Sequence, residues 1–159
     1  MDHQGDDSVK KVLLRGPALS KSGYGEHTRQ IFRYLLTKNV DVTVQPMNWG
    51  ITPWYINEKD QENIIGEIIS RSTFSPEAKY DISIQVQLPN EWDTSLARYN
   101  IGVTAGVETD FTNPQWAQLH CSKMDHVIVP SSFSRKSMLR KEAPRQKSVL
   151  FLSPILKNY

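Results

Sequence analysis

Val9-Lys10-Lys11-Val12-Leu13-Leu14 runs into Arg15-Gly16-Pro17-Ala18-Leu19-Ser20-Lys21-Ser22-Gly23-Tyr24-Gly25, and both pieces repay close reading. The first is a short apolar strand and the second a glycine- and serine-rich loop. Ile31, Phe32, Leu35 and Leu36 then fall at offsets 0, 1, 4 and 5, one face at helical period, which predicts a helix over about 24–38. Val40-Asp41-Val42-Thr43-Val44 is a second strand, β-branched and ended by Pro46. Strand, loop, helix, strand is the repeating unit of a parallel α/β sheet.

The rest of the chain repeats the alternation. Residues 46–57, with two tryptophans, two prolines and a glycine, read as a structured loop, and 62–70 as a helix carrying Ile64, Ile65, Ile68 and Ile69. Residues 80–88 alternate Ile82, Ile84, Val86 and Leu88 with Asp81, Ser83, Gln85 and Gln87, a strand at period two. Further strands are expected at 100–105, 126–130 and 148–152. Helices are expected at 114–122, with Pro114 near its start, and from a Ser131 or Ser132 cap to about Glu142, before Pro144. The expected fold is a Rossmann-like parallel sheet with right-handed crossovers and helices on both faces. Ligands of such sheets bind beyond the carboxyl ends of the strands, where strand order reverses. The loops after residues 14, 45, 88, 105 and 130 are therefore the places to look.

Composition bounds the function. A chain of 159 residues fits one domain, here 9–159 behind a disordered lead-in at 1–8. Nineteen basic against seventeen acidic residues, net +2, is too balanced for a dedicated nucleic-acid binder. The lone Cys121 excludes a disulfide framework and a cysteine-rich zinc site, and suits a reducing cytoplasm. The four histidines show no metal-ligand spacing, so no metal and no cofactor is expected. The acidic, polar start is not a secretory signal, and no apolar run reaches membrane-helix length.

Four groups of residues could carry chemistry. Ser22, Gly23, Tyr24 and Gly25 stand where a strand meets a helix, and glycines there allow positive φ and close backbone approach. The helix start could hold a phosphate, or the segment is only a turn. Neither GxGxxG nor GK[ST] is present. Glu108 and Asp110 follow the fourth strand, where Glu108, beside small Gly106, could orient a hydroxyl or act as a base. Trp49, Trp54, Tyr55 and Trp92 lie in loops, where they either face a sugar or cover a core edge. The basic run Arg135, Lys136, Arg140, Lys141, Arg145 and Lys147 is a solvated helix face or a patch for an anionic acceptor, a membrane surface not being expected.

Gly16-Pro17, Ser22-Gly23-Tyr24-Gly25, Arg29, Asn48-Trp49-Gly50, Glu108, Pro114-Gln115-Trp116 and Asp125-His126-Val127-Ile128-Val129-Pro130-Ser131-Ser132-Phe133-Ser134 occur in this order over about 9–153. Together they resemble the N-terminal domain of a group 1 (family 4) glycosyltransferase of GT-B architecture. The resemblance implies the acceptor-side half of a retaining enzyme that moves a sugar from a nucleotide-sugar donor to a carbohydrate or other acceptor. It places Gly23, Tyr24 and Gly25, with Ser22 beside them, near the donor phosphates, and Glu108, the catalytic candidate, and Ser131 near the acceptor; Trp49 and Trp54 are candidate acceptor-side sugar contacts on the strength of their aromatic faces. The family often has a histidine between the positions of Gly102 and Asp110, and this chain has none there. The donor domain's E-x7-E pair is also missing: eight residues after Glu58, Glu62, Glu67, Glu77, Glu91 and Glu108 stand Gly66, Ser70, Ser75, Gln85, Tyr99 and Trp116. The chain thus resembles half an enzyme, truncated before its donor-binding C-terminal domain and inactive alone. A partner chain or a homo-oligomer would complete it. The alternative is a non-catalytic carbohydrate- or nucleotide-binding or interaction module.

Overall fold

The computed structural model describes residues 8–76, 79–104, 121–129 and 149–151. β1 (Lys10–Gly16), β2 (Val40–Pro46), β3 (Tyr80–Val86), β4 (Ala97–Val103), β5 (His126–Val129) and β6 (Val149–Phe151) form one sheet in the order β2-β1-β3-β4-β5-β6. All five pairings are parallel. Among the described residues the helices are α1 (Gly23–Leu36) and α2 (Ile64–Ser70), with 3-10 turns at Pro89–Glu91 and Cys121–Lys123. This is the expected α/β, Rossmann-like class. The lead-in up to Asp7 and the helices expected within 114–120 and over 131–142 lie outside the described residues, as do Glu108, Ser131 and the basic run 135–147.

Register assigns the faces. Val12 pairs with Val42 and Ile82, Leu14 with Val44 and Ile84, and Ile84 with Ile101, so these side chains share one face. Phe32 and Leu35 of α1 and Ile65 and Ile68 of α2 join Val12, Leu14, Val42, Val44, Val86 and Val103 in one buried cluster. Strand order reverses between β1 and β3, because β1 leads outward to β2 while β3 leads the other way to β4. The crevice between their carboxyl ends is the switch point.

Several element bounds and burials differ from expectation. The period-two strand at β3 is present, and its polar side is the more buried one: Ser83 and Gln85 are fully buried while Ile82 and Ile84 are half-buried. The connection to β4 brings no α-helix to that face, and hydrogen bonds from the connection and from β4 satisfy the two buried polar side chains. Ser83 Oγ donates to Asn100 Oδ1 at 2.6 Å, and Gln85 Nε2 donates to the Asp93 carbonyl at 2.6 Å. Asp93 N–H donates back to Gln85 Oε1 at 2.7 Å, and Trp92 Nε1 to the Gln85 carbonyl at 3.1 Å. The same stitching starts β4 at Ala97, where the Ala97 carbonyl accepts from Asn100 Nδ2 at 3.0 Å. Pro46 is included in β2 as its last residue rather than excluded.

The second helix begins at Ile64 rather than 62 because Gln61, Glu62 and Asn63 are left-handed, with φ of 54°, 59° and 68°. The turn is held from outside: Arg33 Nη2 donates to Gln61 Oε1 at 3.1 Å, and Gln61 Nε2 to Tyr55 Oη at 3.2 Å. Left-handed backbone costs about 1–2 kcal/mol per non-glycine residue, against about 0.5–1 kcal/mol for glycine's extra unfolded freedom. Glu62 is exposed. Glu62→Gly is therefore expected to stabilise the protein by about 0.5 kcal/mol. A urea titration that places the variant's midpoint below wild type contradicts this.

Candidate functional site at the carboxyl edge of the sheet

The loop after β1 is shaped by its own backbone. Ala18 N–H donates to the Gly16 carbonyl at 2.8 Å and Ser20 N–H to the Pro17 carbonyl at 3.0 Å. Beneath it lies Arg29, on the same face of α1 as Gly25, Thr28 and Phe32 and only 2% exposed. Its Nη1 donates to the carbonyls of Ala18 at 3.0 Å and Ser20 at 2.7 Å, and its Nη2 to Glu26 Oε2 at 3.1 Å.

The loop after β2 zips onto this one. Lys21 N–H donates to the Pro53 carbonyl at 2.9 Å, Tyr55 N–H to the Leu19 carbonyl at 2.8 Å, and Ser20 and Trp54 form an antiparallel bridge. Two cations contact the Tyr55 ring, with Lys21 Nζ 4.8 Å and Arg29 Cζ 4.9 Å from its centre. Trp54 packs partly buried against the main core, so the structure uses Trp54 and Tyr55 as cover for a core edge. Trp92 is placed likewise, against Cys121, Met124, Val127 and Val129 on the sheet's other face.

Trp49 sits differently. Its ring stacks on Tyr24 with centroids 4.2 Å apart and 24° between planes. Tyr24 Oη lies 3.1 Å from Thr104 Oγ1, spanning from the start of α1 to the end of β4. Ser22 caps α1, its Oγ accepting from Gly25 N–H at 3.1 Å. Ser20 Oγ is 2.9 Å from Ser22 Oγ and 2.6 Å from Thr52 Oγ1, and Thr52 Oγ1 donates to the Trp49 carbonyl at 2.8 Å. A chain of three hydroxyls thus joins the helix cap to the tryptophan loop. Ser22, Gly23, Tyr24, Gly25 and Trp49 come together at the switch point.

The two glycines do different work from that expected. Among described glycines only Gly50 has positive φ. A Cβ on Gly25 would lie 2.1 Å from the Ser20 carbonyl oxygen and 2.9 Å from that of Pro17, so Gly25 makes room for the protein's own loop, not for a ligand. Among the described residues, a Cβ on Gly23 would meet no atom within 4 Å. Gly23 is thus the open position at the positive end of α1.

Sequence reasoning placed Ser20 beside the glycine loop without a role, gave no role to Thr52 or Thr104, and assigned Arg29 none. For Arg29 a signal was present, since it stands four residues from Gly25 and three before Phe32 on the buried face of a helix. Asp125, part of the quoted stretch, is structural: its Oδ2 accepts from Asn100 N–H at 2.8 Å and ties the start of β5 to β4. Burial pushes the Cys121 thiol up to about 11, which keeps it protonated and unreactive.

His27, on α1, is held below its ordinary value of 6.5 by burial. The unfolded chain then takes up a proton before the folded one does, so this histidine's contribution to stability falls as pH drops below about 6.5. His27→Gln is expected to lose less stability than wild type between pH 7.5 and 5, measured as urea midpoints. Equal losses would assign the acid sensitivity elsewhere.

No family model matches the chain, and no curated protein or solved structure is similar to it.

Proposed function

We propose that this chain is the acceptor-side half of a two-domain, retaining glycosyltransferase, working in the cytoplasm on a nucleotide-sugar donor and a carbohydrate or other acceptor. The observation that carries the reading is the assembly at the switch point. A capped helix start, open at Gly23, stands beside a stacked Tyr24–Trp49 pair and the hydroxyls of Ser20, Ser22 and Thr52. A helix start attracts a diphosphate, and aromatic faces with hydroxyls suit a sugar. Glu108 is the proposed catalytic carboxylate and Ser131 a further contact with the acceptor. Leaving-group stabilisation is a main term in such chemistry. Transfer therefore needs a donor domain from a partner chain, a second copy or further sequence.

A second reading has its own observation. Tyr24, bonded across to Thr104 and stacked on Trp49, fills part of the crevice with the protein's own side chains. That favours a non-catalytic binding or interaction module on the same fold.

Titration with uridine and guanosine diphosphates, followed by amide NMR shifts, tests the first reading. Binding is expected on the order of millimolar, about 4 kcal/mol, with shifts centred on residues 20–28 and 49–52. Gly23→Val puts a branched side chain into open space at the helix start, so it should abolish binding and leave shifts elsewhere in the spectrum unchanged. Perturbations that map elsewhere, or persist in Gly23→Val, would reduce the site to a turn.

A further inference from the structure

We draw no further inference here: the strongest candidate, the apolar trough of about 460 Å³ between α1 and the β3–β4–β5 part of the sheet, lined by His27, Ile31, Tyr34, Ile84, Ile101 and Ile128, carries nothing because nothing among the described residues shows what covers it.

Discussion

Gly25→Ala is expected to destabilise the protein by about 3 kcal/mol or more, although it adds a single methyl group. In an ordinary helix interior the same change would stabilise, by roughly 0.5–1 kcal/mol. Here the methyl carbon would stand 2.1 Å from the Ser20 carbonyl oxygen, and neighbouring backbone, not a flexible side-chain end, would have to move. Neither partner moves freely. The Ser20 carbonyl is fixed by Arg29 at 2.7 Å, and Gly25 by its N–H bond to Ser22 at 3.1 Å. For a domain of this size the loss corresponds to a melting point lower by about 6–12 °C. Circular dichroism melts of wild type, Gly23→Ala and Gly25→Ala check it. Gly23→Ala meets nothing among the described residues and should melt within a few degrees of wild type. Equal melting points for the two variants would mean that the loop is not packed as described.

How much of this was legible beforehand depends on which physics was local. Strands and α1 were readable because β-branched runs and the period of Ile31, Phe32 and Leu35 are short-range signals. The burial of Ser83 and Gln85 could not be read from the alternation, because polarity alone does not tell exposure. Their burial depends on Asn100 and the Asp93 backbone, which reach them only once β3 and β4 are paired. The left-handed turn at 61–63 was invisible for a like reason. It is held by Arg33, 28 residues away, and by Tyr55 across the preceding loop, against what residues 61–63 would choose by themselves. At the site, the Ser22 cap and the neighbourhood of Trp49 could be anticipated. The meaning of Gly25 could not, because a glycine that admits a ligand and one that admits the chain's own carbonyl look alike in sequence.

Arg29→Met is expected to cost about 2–4 kcal/mol, since it leaves the buried carbonyls of Ala18 and Ser20 without their donor. Arg29→Lys should recover only part of that. One ammonium cannot reproduce the planar fork that reaches two carbonyls through Nη1 and Glu26 through Nη2. The Glu26 contact contributes least, because that carboxylate's side chain is 49% exposed and screened by water. The more informative quantity is the coupling to Gly25. Arg29 draws the Ser20 carbonyl over the first turn of α1, and that carbonyl is what a side chain at 25 would strike. Once Arg29 is gone the loop can lift, and the extra methyl of Gly25→Ala finds space. In a double-mutant cycle by urea denaturation, the penalty of Gly25→Ala should shrink in the Arg29→Met background by about 1–2 kcal/mol. Strict additivity would separate the two residues and leave the tightness around Gly25 to some other restraint on the Ser20 carbonyl. A double mutant less destabilised than the sum of the two would identify Arg29 as the positioning residue of the whole edge. The loop it fixes carries the Ser22 cap, Ser20's link to Thr52 and, through Thr52, the backbone on which Trp49 is held.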